Sequence, residues 1–222
     1  MKNWTYVILF ISIILLGGCQ VNNEDQTKKP SEMSPDELPN VRAFEDEFTR
    51  GFLQSTEESR TGYYPFLSGT GKYGMDFPVG GIVGEKNYAL KETDYEGLSI
   101  GIKNYNGTGS HLKLNYYSTD EKGREDLKLD MINNRIGREL EYEKLPSENQ
   151  TLYLSYYEED KMYYGYAGFL QNEVENGGIE IIYQTECLSS KEECAGILPE
   201  AKHMMKQQIE SIQFTVQPNE SE

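Results

Sequence analysis

Apolar residues alternate with polar or small residues along several stretches of the chain, which is the pattern of half-buried β-strands. The clearest case is 97–103, with leucine or isoleucine at the even positions and glycine, serine or lysine at the odd positions. A second case is 112–117, which follows the turn-forming residues 104–110. The pattern predicts two neighbouring strands that each bury one face.

Further strands are indicated by aromatic and β-branched residues between turn signals. Residues 62–84 predict two short strands around a Gly-Thr-Gly turn. Four more strands are predicted near 140–145, 151–158, 161–170 and 179–186. Because the connections are short, neighbouring strands are expected to pair antiparallel.

Three segments have apolar residues at helical spacing instead. The first is a stripe of Val41, Phe44, Phe48 and Phe52. Ser34 begins a capping-box pattern, but Pro39 would interrupt a helix from there, so Asn40 is an equally good start. The second helix is predicted over 120–138 and the last over 199–211.

These elements predict an α+β fold, with an antiparallel β-sheet, helices packed on one face, and helices at the N-terminal and C-terminal ends. Hydrophobic residues make up 37% of the 222 residues, which is enough for one core. The predicted single domain covers 40–216, and 217–222 is an acidic tail.

The first nineteen residues form an export signal rather than part of the fold. Lys2 precedes an apolar run over 6–16, and Leu16-Gly17-Gly18-Cys19 closes it. These residues resemble the lipobox of bacterial lipoproteins, which implies a signal peptide over 1–18, cleavage before Cys19 and diacylglycerol on its thiol. An uncleaved membrane helix would need roughly 20 apolar residues. A simple secretory signal would not require the cysteine.

The resemblance implies a protein anchored by lipid on the extracytoplasmic face of the cell membrane, with residues 19–39 as a flexible tether. That tether is rich in polar residues and proline, so it has little to bury. Whether the cell also has an outer membrane stays open.

The chain is strongly acidic, with 21 Lys and Arg against 37 Asp and Glu and a formal net charge of -16. Nucleic acid is therefore not expected as a partner. An anionic bilayer repels such a domain, which favours a stand-off position on the lipid anchor. The expected partners are the membrane through that anchor and an envelope protein, peptide or glycan.

Two of the three cysteines remain once Cys19 is assigned to lipid. Cys187 and Cys194 are an even pair outside the cell, where disulfides persist. Their closure of the intervening loop would stabilise the fold by about 2.5 kcal/mol on the chain-entropy model. A metal site would need more ligands than these cysteines and the two histidines supply, so we expect no metal and no cofactor.

Two motifs match catalytic or nucleotide-binding patterns. Residues 97–101 fit G-x-S-x-G with Ser99 as nucleophile, and His111 and His203 are both candidates for its base. The following residues predict a strand and a turn rather than the helix that a nucleophile elbow needs. Residues 69–74 fit G-x-G-x-x-G, but no helix follows, so a hairpin turn is the better interpretation.

Tyrosine is the most conspicuous residue type, with 17 in the chain. Many lie in the predicted late strands, where β-propensity and cross-strand packing account for them. On an open sheet face they would form an amphipathic binding platform. The candidate binding surface consists of Tyr153, Tyr157, Tyr163, Tyr164 and Tyr166.

The element order, Tyr73-Gly74-Met75-Asp76-Phe77-Pro78 and the ending Ile212-Gln213-Phe214 together resemble PsbP/DcrB-like domains. That resemblance implies a non-catalytic binding or accessory module, and no functional residue is transferred from it. We therefore expect an envelope lipoprotein that is not an enzyme. The alternative is a small envelope serine hydrolase that uses Ser99.

Overall fold

The computed structural model describes residues 28–160 and 162–215. Within these residues, no helix is both long enough and apolar enough to cross a membrane. The predicted export segment, Cys19 and the acidic tail lie outside the described part.

Strands dominate the fold, as the alternation predicted. The strands are β1 Tyr63–Leu67, β2 Tyr73–Pro78, β3 Gly81–Val83, β4 Ala89–Lys91, β5 Tyr95–Lys103, β6 Thr108–Tyr117, β7 Glu143–Pro146, β8 Gln150–Glu158, β9 Tyr163–Asn172, β10 Gly178–Cys187 and β11 Gln213–Phe214. The α-helices are α1 Arg42–Glu45, α2 Glu47–Arg50, α3 Glu125–Ile136 and α4 Lys191–Glu210. Short 3-10 helices cover Pro30–Glu32 and Glu85–Asn87.

The strands form two antiparallel sheets. The large sheet has the order β3-β5-β6-β10-β9-β8-β7, with β4 also paired to β5. The small sheet has the order β1-β2-β11. Its aromatic side chains, among them Tyr73 and Phe77, join the same hydrophobic cluster as the large sheet.

The register of β5 and β6 decides which side chains the large sheet buries. Leu98 pairs with Leu114 and Ile100 with Leu112, and all four are fully or almost fully buried. We call this side the core face. The intervening residues, among them Ser99 and His111, lie on the other side, which we call the far face, because successive strand side chains alternate between faces.

The expectation that the helices share one face is corrected. Helix α4 packs on the core face, where Met205 and Ile209 belong to the main cluster. Helix α3 packs on the far face, where Ile132 forms a second cluster with β8 and β9 side chains, including Ala167 and Phe169. The apolar side chains of β8 and β9 therefore alternate between the core face, where α4 packs, and the far face, where α3 packs.

The predicted first helix is broken at Asp46. This residue has an extended backbone, and its carboxylate accepts hydrogen bonds from Thr49 N at 2.8 Å and Thr49 Oγ1 at 2.6 Å. Thr49 Oγ1 in turn accepts from Val83 N at 3.0 Å. The tertiary contact with β3 fixes a second helix start, so α1 and α2 replace one continuous helix.

The last helix begins earlier than predicted. Ser190 and Glu193 form a capping box, and Cys194 in the first turn is disulfide-bonded to Cys187 at the end of β10, with a Cα separation of 5.7 Å. The expected disulfide is therefore present, but half of the predicted loop is helix. Pro199 lies inside α4 on its exposed side, where water can hydrogen-bond to the carbonyl group that loses its partner.

Two other boundaries differ. The strand expected over 140–145 is shorter and later, as β7 Glu143–Pro146. The end of the expected tether is folded, because Pro30 is buried and Leu38 packs against the main cluster. The few apolar side chains of this mainly polar segment are therefore sufficient to pack it against the domain.

A buried carboxylate connects the two sheets. Glu96 on β5 is fully buried and accepts hydrogen bonds from Gly69 N at 2.9 Å and Thr70 Oγ1 at 3.3 Å, both in the turn between β1 and β2. Burial, followed by the adjacent Glu96 carboxylate, raises the pKa of the Tyr88 hydroxyl. The turn that matches G-x-G-x-x-G thus presents its donors to a group of the protein itself.

Glu96→Ala is expected to lower the free energy of unfolding by about 2 kcal/mol, because buried donors of the turn lose their acceptor. Urea denaturation monitored by tyrosine fluorescence measures the change. Glu200→Ala, at an exposed position of α4, is the matched control and should change stability by less than about 0.5 kcal/mol. Equal stabilities of the two variants would show that Glu96 does not connect the sheets.

Candidate functional site

The far face holds a trough that α3 does not cover. It has a volume of about 640 Å³. It lies where β5 ends and β6 begins, beside the facing ends of β8, β9 and β10. Its far-face and rim residues include Arg42, Gly101, Gly109, His111, Tyr157, Tyr163, Gln184, Glu186 and Leu188. We call this the far-face trough.

Glycines form part of the floor of the far-face trough. A Cβ atom added at Gly101 or Gly109 would meet no other heavy atom within 4 Å. Neither glycine has a positive φ, so the backbone does not require glycine at these positions. The missing side chains therefore leave open space above the sheet.

His111 sits in the middle of this region. The register places it opposite Gly101, and its Nε2 atom lies 2.5 Å from Ser99 Oγ. Because Gly101 has no side chain, the imidazole can lean across it towards Ser99. His111 also lines a smaller hollow of about 280 Å³ next to Ser99, so this side chain borders both cavities.

The surroundings of His111 favour its neutral form. Partial burial, and then the positive charge of Lys113, lower the pKa of His111 below its ordinary value. A neutral imidazole can accept the Ser99 proton through Nε2. The pair is therefore chemically able to polarise the serine hydroxyl.

The other parts of a serine hydrolase site are not assembled around this pair. Ser99 lies inside β5, not on a sharp turn between a strand and a helix. The described residues place no carboxylate in hydrogen-bond contact with His111, so no third group orients its ring. His203, the other predicted base, is exposed on α4, the helix of the core face.

The five candidate tyrosines do not form one platform. Tyr164 and Tyr166 are buried on the core face, with 2% and 8% of their surface exposed. Tyr153 packs beside the α3 cluster, and Lys144 lies over its ring. Of the five, Tyr157 and Tyr163 have side chains on the far face and line the far-face trough. Tyr164 also borders the trough, but its side chain points to the core face because side chains alternate along β9.

The rim of the far-face trough combines exposed apolar surface with hydrogen-bonding groups. Leu188 is 69% exposed and Tyr163 is 44% exposed, and the Tyr163 hydroxyl donates to Glu186 at 2.7 Å. Gln184 is exposed beside them. The sequence did not indicate Gln184, Glu186 and Leu188 as site residues. Alternation along β10 shows which side chains share a face of the sheet, but not whether another element covers that face.

Residues suited to metal binding are scattered. Among the described residues, no group of three or more His, Cys, Asp or Glu side chains is arranged to hold a metal ion. The far-face trough instead has two cationic side chains, Arg42 and Lys103, and two anionic side chains, Glu159 and Glu186. Its charges are balanced in a protein that is otherwise acidic.

Comparison with known proteins gives a clear family match. A family model described as "Putative lipoprotein YvcA" matches residues 39–213. A protein of the same description from Bacillus subtilis (strain 168) is 27% identical over 242 residues, which cover 99% of this chain and 100% of that protein.

One solved structure shows a limited likeness. A crystal structure from Bacteroides thetaiotaomicron aligns with a TM-score of 0.39 and 9% identity. The alignment covers 69% of this chain and 48% of that chain, so the present chain spans about half of its length.

The lowered pKa of His111 predicts a pH-dependent stability. As the pH falls below about 6.5, the unfolded chain takes up the proton before the folded protein does, so the free energy of unfolding falls. Above that pH both states are neutral and the contribution disappears. His111→Gln should lose this part of the pH dependence, which is measured as the difference in urea midpoints between about pH 7.5 and about pH 5.5.

His203→Gln is the control, because His203 is exposed. It should keep the pH dependence of the unsubstituted protein. An unchanged pH dependence in His111→Gln would contradict the inferred environment of His111.

Proposed function

Because the chain belongs to the YvcA lipoprotein family, we propose that it is a lipid-anchored binding module on the extracytoplasmic face of the cell membrane. The lipobox residues that end at Cys19 support cleavage and lipidation. The tether residues that follow Cys19 would hold the acidic domain away from the anionic bilayer. In this proposal the protein is not an enzyme.

The observation that supports binding is the far-face trough. The strands below it are paired without interruption from β5 to β10, and Gly101 and Gly109 leave open space above them. Ligand sites in proteins are concave, and a few polar groups fix the orientation of the ligand. The far-face trough has both properties, with His111, Gln184 and Glu186 as its hydrogen-bonding groups.

The chemistry of the walls favours a neutral glycan of the envelope as the ligand. Amide, imidazole and carboxylate groups can donate to and accept from sugar hydroxyl groups. Tyr163 and Leu188 offer apolar surface for the C–H faces of sugar rings. The balanced rim charges give no preference for an ionic ligand, which separates this proposal from binding of a charged peptide.

Gly101→Leu tests the proposal, because a leucine side chain would occupy the open space above the floor. Isothermal titration calorimetry with chitotetraose, a neutral oligosaccharide, should give an affinity weakened by about tenfold or more. The protein used begins at Gln20, so it lacks only the export segment and the lipidated cysteine.

Gly196→Leu is the matched control, since Gly196 on α4 is also exposed with open space around it and does not line the far-face trough. It should bind chitotetraose like the unsubstituted protein. Absence of binding by the unsubstituted protein at millimolar concentration, or equal binding by Gly101→Leu, would contradict the glycan proposal.

A second function is favoured by one observation, the 2.5 Å contact between Ser99 Oγ and His111 Nε2. In this alternative the pair acts as nucleophile and base of a small envelope hydrolase. The strand position of Ser99 and the lack of an orienting carboxylate among the described residues argue for the binding module instead.

A fluorophosphonate probe separates the two functions, because it labels activated serine nucleophiles. We expect no labelling of the protein, with a known serine hydrolase as positive control. Labelling that is lost in Ser99→Ala and in His111→Gln, but kept in His203→Gln, would support the hydrolase and contradict the binding module.

A further inference from the structure

A second cavity lies on the core side of the large sheet. It has a volume of about 370 Å³ and is lined by residues from the start of β1, the turn after β2, the end of β5, β10 and α4. Its walls are mainly apolar, and Tyr63, Val79 and Ile102 contribute side chains that are at most 7% exposed. Tyr105, which is 80% exposed, stands at its rim.

One polar group in this cavity has an unused hydrogen-bond donor. Gln208 on α4 lines the cavity and is 1% exposed. Its Oε1 atom accepts from the Tyr183 hydroxyl at 2.7 Å, whereas its Nε2 atom is buried and has no partner. Buried polar groups in folded proteins are nearly always hydrogen-bonded, so the unpaired donor of a side chain that lines this cavity can be satisfied by an acceptor on a bound molecule.

We propose that this cavity binds a small, mainly apolar molecule with one carbonyl-type oxygen, which accepts a hydrogen bond from the Gln208 side-chain amide. Cavities of a few hundred Å³ with apolar walls and a few placed polar groups are typical of small-molecule sites. Met204 on α4 supplies an adaptable apolar wall, since its thioether side chain fits ligands of different shape.

The class of ligand follows from the lining. The charged lining residues, Glu58 and Lys103, are exposed, so a charged ligand buried beside Val79 and Ile102 would lack a buried counterion, which is costly. A pure hydrocarbon would leave the Gln208 donor without a partner, as it is in the free protein, and would therefore gain no hydrogen bond. A neutral ketone, amide or ester with an apolar body meets both requirements. The site lies on the opposite side of the large sheet from the far-face trough, with Ile102 and Lys103 lining both, and it does not depend on the proposed glycan.

A pair of probes of similar shape tests the inference: acetophenone, which has a carbonyl oxygen, and cumene, which lacks one. Both are titrated into the protein that begins at Gln20, and NMR follows the side-chain amide of Gln208 and the methyl group of Met204. Acetophenone should bind about tenfold more tightly than cumene. Its binding should move the Gln208 amide proton signals downfield.

Three variants complete the test. Gln208→Met should lose the preference for acetophenone, whereas Tyr183→Phe should keep it, because the amide donor remains. Met204→Trp should weaken the binding of both probes, because the larger side chain would fill the cavity. Because the preference is a ratio within one variant, a general loss of stability does not imitate the effect.

The inference is overturned if neither probe shifts the Gln208 or Met204 signals at about 10 mM, a weak limit on the affinity scale. Equal binding of the two probes to the unsubstituted protein, or an unchanged preference in Gln208→Met, would overturn it as well.

Discussion

The pairing register of β5 with β6 is the constraint on which both faces of the molecule depend. Because side chains alternate along a strand, a slip of one residue would move every side chain to the opposite face. Leu98 and Ile100 would then leave the core, and Ser99 and His111 would enter it. The large buried area of the leucine and isoleucine side chains therefore also determines where the polar residues of the far face lie.

The same alternation in β8 and β9 explains why the sheet is covered on both sides. Apolar residues at adjacent positions, such as Tyr166 and Ala167, belong to the main cluster and to the α3 cluster respectively. Helix α3 is only 12 residues long and covers one part of the far face. The far-face trough is the part of the sheet that remains beside it, and glycines keep it open.

Regular alternation made most strands predictable from the sequence, but tertiary contacts decided the rest. The break at Asp46 depends on the bond from Val83 N to Thr49 Oγ1, which no local pattern shows. The early start of α4 was encoded in the Ser190 capping box, and Pro199 concealed it. At the candidate site, the sequence indicated Ser99 and His111 separately. Their contact depends on the β5–β6 register and on the missing side chain of Gly101.

The central claim is that the far face is the binding surface of this lipoprotein. Backbone amide NMR of the protein that begins at Gln20, titrated with chitotetraose, tests it most directly by locating the contact. The account predicts shifts at Gly101, Gly109, His111, Gln184 and Glu186, whose residues line the far-face trough. Shifts confined to the exposed side of α4, or no shifts while the spectrum stays that of a folded protein, would contradict it.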